Sequence, residues 1–236
     1  MRVMAFSPHP DDVEILCAGT LAKYAAQGHD VAIVYVTNGN VGSPTLPPGE
    51  IAAVRKKEAQ AASALINATF FWMNYDDEFL YDSPEVRHHF IDVIRQFRPD
   101  IVLCPHKDLD YHPDHIRTGQ IVWDTHVMAT VPNIKTAHPP CERIHEIWFY
   151  DTVAGVNFVP EFYVDISEHW EMKARMLACH ESQNEWMIAQ YGVPVTHHAE
   201  IQSKFRGLQS GCAYAECFFR AKFFPSTTSK DGLLPG

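Results

Sequence analysis

From residue 3 to residue 166, short apolar runs alternate with longer amphipathic stretches, and few folds accept that rhythm. Residues 3–6, 31–36, 69–73 and 101–104 read as strands, the second of them a β-branched run. Residues 13–27, 50–65 and 85–97 read as helices; Gly28 caps the first, and Arg98-Pro99 stops the third. Strands separated by helices of this length form βαβ units, which build a parallel sheet with helices on both faces. Beyond Pro113 a helix is expected to about residue 128, because proline is tolerated in a first helical turn. A proline-rich crossover follows (Pro132, Pro139, Pro140), then strands at 147–150 and 162–166 and helices at 169–191 and 199–220. There is no internal repeat. A single α/β domain over residues 1–224 with a tail at 225–236 is the simplest organisation.

Charge and composition remove several functions. A net charge of -10 argues against nucleic-acid or anionic-membrane partners, which need clustered Lys and Arg to displace counterions. No apolar run approaches membrane-spanning length, and residues 1–6 are too short for a signal-peptide core. The six cysteines contain no CxxC pair, so reduced thiols in a cytoplasmic protein are the expectation. Histidine is the unusual component, with 14 copies, several of them clustered.

Two of those clusters directly follow predicted strands, where open α/β sheets place their ligands. His9-Pro10-Asp11-Asp12 follows the first strand, and a run from His106 to His115, ending in His112-Pro113-Asp114-His115, follows the strand that closes at Cys104. If those strands are neighbours, the two loops meet. Imidazole and carboxylate suit zinc, which in catalytic sites takes three protein ligands and keeps a position open for water. His9, Asp12 and His115 supply such a His/Asp/His set, and ferrous iron would accept the same donors under reducing conditions. Asp11 is then a second carboxylate free to act as a general base, the metal lowering the water's pKa from about 16 toward 7. His112, one helical turn from His115, would hydrogen-bond a developing oxyanion or protonate a leaving amine, and Asp114 would orient a neighbouring imidazole. Four residues of HPDD alone are ordinary loop chemistry. The pairing with HPDH is what singles them out.

His9-Pro10-Asp11-Asp12-Val13-Glu14, Ala18-Gly19-Thr20 and His112-Pro113-Asp114-His115 resemble the PIG-L/LmbE-like family of zinc-dependent N-deacetylases. Thr37-Asn38-Gly39, Arg55-Lys56-Lys57-Glu58, Arg98-Pro99-Asp100, His180-Glu181-Ser182-Gln183 and Tyr214-Ala215-Glu216 fall in the order such a protein shows. The resemblance implies a Rossmann-like LmbE fold and removal of the acetyl group from an N-acetylglucosamine-type sugar or conjugate. It implies His9, Asp12 and His115 as metal ligands, Asp11 as base and His112 as the residue that stabilises the tetrahedral intermediate. It also implies sugar-hydroxyl contacts at Arg55 and Asp77, with Asp76 a rival for the latter. Homo-oligomers, trimers or hexamers, are common in such families. Where many members continue the first motif with Asp-Glu, this chain has Val13-Glu14.

Two rival functions use the same residues: a two-metal phosphoesterase, and a catalytically silent sugar-binding protein, which would need neither Asp11 nor His112. Gly39-Asn40-Val41-Gly42 lacks phosphate-loop spacing, so the loop at 40–49 reads as a lid, a substrate-lining segment or an inert connection. Ser7 lacks the elbow of a serine hydrolase. His88-His89 and His197-His198 read as solvent-facing or as oligomer contacts, and His180 as a rim residue or a structural one.

Overall fold

The computed structural model describes residues 1–143 and 146–223, so the expected tail at 225–236 lies outside the described residues. Five strands run parallel: β1 (Arg2–Ser7), β2 (Asp30–Thr37), β3 (Thr69–Tyr75), β4 (Ile101–Cys104) and β5 (Glu146–Tyr150). Two more, β6 (Phe162–Asp165) and β7 (Ala215–Arg220), extend the same sheet, with β7 antiparallel to both β5 and β6. The order across the sheet is β3-β2-β1-β4-β5-β7-β6. Among the described residues eight α-helices cover it: α1 (Asp12–Leu16), α2 (Ala18–Ala26), α3 (Pro48–Ala64), α4 (Pro84–Phe97), α5 (Pro113–Met128), α6 (Trp170–Ala178), α7 (Glu181–Tyr191) and α8 (Val195–Ser210). Among the described residues no helix is long and apolar enough to cross a membrane.

A strand covered on both faces must be apolar throughout, and β1 shows why. Val3 and Ala5 face a core with Leu16, Leu21, Tyr24 and Met176, while Met4 and Phe6 face another with Phe90, Ile94, Ile121 and Val122. Burying each such large side chain stabilises the fold by roughly 1.5–3 kcal/mol.

Three expected helices differ. The one at 13–27 breaks at Cys17 (φ -147°, ψ 9°), because α2 starts afresh there: the Glu216 carboxylate accepts from the Gly19 and Thr20 amides at 2.9 and 2.7 Å. A carboxylate satisfies the free amides of a new helix start. The stretch at 169–191 likewise divides at Cys179-His180 into α6 and α7. The expected helix at 199–220 is instead α8, closed by Gly211 in the left-handed conformation (φ 81°), and then β7. There the period of two wins: Cys217 and Phe218 enter the two opposite cores, which no helical phase allows.

β1 lies between β2 and β4, so the chain winds outward from it in both directions. Val3, Met4 and Ala5 pair with Ile101, Val102 and Leu103. The loops after β1 and β4 therefore leave side by side at the crevice where the strand order reverses.

Candidate active site

Each loop is locked by its own sequence. Ser7 Oγ donates to the His9 carbonyl at 2.6 Å and accepts from Val13 N at 3.1 Å, closing the turn through Pro8 and Pro10. His9 N donates to Asp12 Oδ2 at 2.8 Å. Asp11, at the N-terminal cap of α1, has φ 149° and ψ -23°, a conformation that non-glycine residues seldom hold and that costs roughly 1–3 kcal/mol. In the second loop Pro113 opens α5, and His112 caps it with Nδ1 accepting from Asp114 N at 3.3 Å.

The register of β1 against β4 then brings the three expected ligand atoms together. His9 Nδ1 lies 3.0 Å from Asp12 Oδ2, His115 Nε2 lies 3.2 Å from the same oxygen, and the two nitrogens are 3.3 Å apart. Tetrahedral donors about 2.0–2.1 Å from zinc stand roughly 3.3 Å from one another, so the triangle has the edges of a three-ligand face. His112 also offers a nitrogen within 4.8 Å of those of His9 and His115, and His9 forms a second buried group with Asp77 and Asp114.

The far side of each imidazole is held by a carboxylate. His115 Nδ1 is 2.9 Å from Asp110 Oδ2, and His9 Nε2 is 3.0 Å from Asp77 Oδ1 and 3.3 Å from Asp114 Oδ2. Burial lowers the His9 imidazole, but Asp114, Asp12 and Asp77 outweigh it and hold the ring well above its usual value. His115 behaves alike: burial opposes Asp12 and Asp110, yet the ring is raised to about 9. Asp12 is held well below the carboxylate range, burial being overcome by His115 and His9. The buried acids thus demand positive charge at this spot, and a cation that displaces the imidazole protons would meet the demand.

Asp11 stands apart from the triangle. Burial raises its carboxyl to about 6, with Asp12 adding to the shift and Arg55 opposing it. Arg55, on α3 and itself buried, donates from Nη2 to the Pro10 carbonyl at 2.9 Å and lies 3.4 Å from Asp11 Oδ1. Gly39 (φ 65°) folds over that guanidinium: a Cβ there would come within 2.3 Å of Arg55 Nη1. His112 is half-buried and its imidazole lowered by burial and by the rings of His9 and His115. Its Nε2 lies 3.3 Å from Glu78 Oε1.

Most of these side chains line one cavity of about 800 Å³. His9, Asp11, Asp12, His112, His115, Arg55 and Asp77 reach its surface, while Asp114 lies behind them. A family model described as GlcNAc-PI de-N-acetylase, PIG-L, matches residues 4–126. The chain belongs to the PIG-L family. Diacetylchitobiose deacetylase of Thermococcus kodakarensis is 32% identical over 227 residues, covering 91% of this chain and 81% of that protein. The solved N,N'-diacetylchitobiose deacetylase of Pyrococcus horikoshii, in complex with its inhibitor MPG, superposes with a TM-score of 0.82 at 29% identity, covering 93% of this chain and 83% of that one. GalB of Pseudomonas putida KT2440, a 4-carboxy-2-hydroxymuconate hydratase, reaches the same TM-score of 0.82 at 19% identity over 98% of this chain and 99% of its own, a likeness of fold alone. This chain is accordingly an amide hydrolase of the PIG-L deacetylases.

Sequence reasoning about this PIG-L chain missed several site residues. Asp110 lies in the His106–His115 loop, and its place five positions before a ligand candidate is the signal that marks it. Glu78 carried none. His198 is half-buried on the cavity wall, which Trp186 and the exposed Tyr191 of α7 also line. Val41 and Gly42 reach the cavity, so the loop at 40–49 contributes to its lining. His180 is fully buried beside Glu14, 3.4 Å from its Oε1, where Glu14 also accepts from the Tyr35 hydroxyl at 2.5 Å.

Proposed function

We propose that residues 1–224 form a single metal-dependent N-deacetylase domain that removes the acetyl group from an N-acetylglucosamine-type sugar or conjugate. The observation that carries this reading is the triangle of His9 Nδ1, Asp12 Oδ2 and His115 Nε2, with Asp11 beside it in the same cavity. Zinc fits the two imidazoles and one carboxylate, and ferrous iron would fit them under reducing conditions. Held by these donors, such a cation would supply polarisation of the acetyl carbonyl and a water pKa lowered from about 16 toward 7.

The chain's own residues supply the rest. Asp11, held by Arg55, accepts the proton of the attacking water as the C–O bond forms. His112 accepts through Nδ1 from Asp114 N, so its proton sits on Nε2, and a neutral ring with that donor facing the cavity stabilises the tetrahedral oxyanion. Asp110 fixes which nitrogen of His115 is free to ligate, and Asp77 and Asp114 stand beside the far nitrogen of His9. As the C–N bond breaks, the proton taken up by Asp11 passes to the nitrogen, so that acetate and the free amine leave. Arg55 and Asp77 also border the cavity and complete the proposed set of sugar contacts.

The second acidic group, His9 with Asp77 and Asp114, does not favour a two-metal phosphoesterase. A neutral imidazole ligates through one nitrogen and donates through the other, so His9 serves one cation at a time. The test is acetate release from a panel of N-acetylated sugars by metal-loaded, chelator-treated and Asp11→Ala protein. Loss of turnover on chelation and in Asp11→Ala, with metal still bound to the variant, is expected. Parental turnover in Asp11→Ala would overturn the base assignment.

A further inference from the structure

Asp11 and Asp12 stand at the start of α1, a helix with little strength of its own. It is five residues long, begins from the strained backbone of Asp11 and, among the described residues, has no side-chain cap. So short a helix does not persist without tertiary support. A residue in a rare backbone conformation likewise stays there only when its surroundings over-determine it. Val13 and Leu16 of α1 are buried among apolar side chains, but hydrophobic burial is non-directional and does not by itself fix how the turn is rotated. Direction comes from polar contacts, of which the bond from Val13 N to Ser7 Oγ is one.

Glu14 supplies others. It is wholly buried in the turn that the Asp11 carbonyl closes by accepting from Ile15 N at 2.9 Å. Glu14 Oε1 accepts from the Tyr35 hydroxyl of β2 at 2.5 Å and lies 3.4 Å from Nε2 of His180, which is also wholly buried. The Tyr35 hydroxyl is in turn 3.1 Å from Ser63 Oγ on α3. His180 is fixed by its own neighbours. Ser182 donates from N and Oγ to the Glu58 carboxylate of α3 at 2.8 and 2.6 Å, and Gln183 Nε2 donates to the Gly42 carbonyl at 3.3 Å. Burial lowers the His180 imidazole, but Glu14 and Asp11 outweigh it, against Arg55, and raise it, so the ring lies in the field of the base. A buried carboxylate is costly without partners. Glu14 is therefore held where β2, α3 and the start of α7 meet α1.

Resting on the reading of Asp11 as the base, we propose that Glu14, clasped by Tyr35 and His180, is a positioning residue: it holds α1 in the rotation that keeps the Asp11 carboxylate beside the His9–Asp12–His115 triangle. None of the three is among the described residues that line the cavity, so they act through Asp11 and not on substrate. Asp12 depends on this anchor less. It accepts from His9 N at 2.8 Å and contacts His115 at 3.2 Å, whereas the Asp11 carboxylate has Arg55 for a partner, at 3.4 Å. Loosening the anchor shifts the base more than the ligand.

The experiment reads kcat, KM and zinc affinity of the full chain, on whichever N-acetylated sugar of the panel it turns over fastest. Tyr35→Phe deletes one hydroxyl, keeps the buried ring, and carries the test if Glu14→Ala does not fold. It is expected to lower kcat about ten- to a hundredfold, the effect of a displacement near 1 Å, with KM and zinc affinity close to parental. Glu14→Gln keeps an oxygen for the Tyr35 hydroxyl and is expected to retain more of kcat than Tyr35→Phe. Because the anchor acts through Asp11, adding Tyr35→Phe to Asp11→Asn is expected to cost no further turnover. Three results overturn the positioning role alone: parental kcat in Tyr35→Phe, an undiminished loss in the Asp11→Asn background, or a fall in zinc affinity that matches the fall in kcat. Parental turnover in Asp11→Asn overturns the base reading, and acetate from no sugar overturns the deacetylase reading; either takes the positioning role with it.

Discussion

Asp110 touches no substrate-facing surface, yet the geometry assigns it a measurable share of metal affinity. Its carboxylate is 7% exposed and accepts two bonds, one from His115 Nδ1 at 2.9 Å and one from His112 N at 3.1 Å. Burial opposes the charge, but the hydrogen bond from His115 prevails and keeps the Asp110 carboxyl below its ordinary value. Asp110→Ala removes both bonds and leaves the His115 Nδ1 proton buried without an acceptor, free to move to the nitrogen that should ligate. Hydrogen bonds to charged groups contribute about 1.5–3 kcal/mol. Loss of a carboxylate behind a ligating histidine typically weakens metal binding about 10–100-fold, or roughly 1.4–2.8 kcal/mol. The two routes agree. Zinc affinity measured by competition with a chromophoric chelator at neutral pH is therefore expected to fall by one to two decades, roughly. Asp110→Asn keeps an oxygen for His112 N and should fall near the lower end. Parental zinc affinity in Asp110→Ala would refute the reasoning, because it would mean that His115 is held by its helix alone.

The other predictions concern the base, the loop and the frame. Asp11→Asn should keep its metal and lose about 10²–10⁴-fold in turnover, read from acetate release beside metal analysis. Because burial raises the Asp11 carboxyl to about 6 and the base acts only when deprotonated, kcat/KM should fall as pH drops through that region. A nearby cation pulls the limb lower still, so a limb centred well above neutrality refutes the assignment. Gly39→Ala places a Cβ 2.3 Å from Arg55 Nη1 at φ 65°; a loss of about 1–3 kcal/mol in urea unfolding is expected, together with reduced turnover. Lys173→Met takes the cation from Glu216, whose Oε1 is 2.7 Å from Lys173 Nζ with both side chains 1% exposed, and leaves that buried charge the Gly19 and Thr20 amides. It should cost about 3–5 kcal/mol in the same assay, part of it recovered when Glu216→Gln is added.

The parallel part of the sheet was legible because each of its strands is a short apolar run between helical stretches, which is what double-sided burial requires. The two motifs were legible for a related reason: both follow such runs directly, and β1 does pair with β4. The antiparallel end was not. Residues 215–220 have the length and apolarity of a strand, but their partners in β5 and β6 are fifty or more positions away in sequence, so nothing local separates strand from helix there. The break at Cys17 was hidden likewise, since it depends on Glu216 reaching the amides of Gly19 and Thr20. Asp110 and Glu78 stayed silent because a carboxylate's role behind a histidine is set by ring orientation, which spacing does not encode.

The same gap between spacing and orientation explains how adjacent carboxylates come to differ. Asp11 and Asp12 are neighbours in sequence and both are buried, yet Asp12 contacts the His9 and His115 nitrogens while Asp11 meets Arg55. Two features impose the split. The backbone at Asp11, with φ 149°, turns its side chain off the path that Asp12 follows into the first turn of α1. Arg55, pinned by the Pro10 carbonyl and roofed by Gly39, then gives Asp11 a partner of its own. A fold shared with a hydratase at 19% identity does not by itself dictate amide hydrolysis. The second carboxylate, kept beside the proposed ligands but off them, would equip this cavity to take a proton from water.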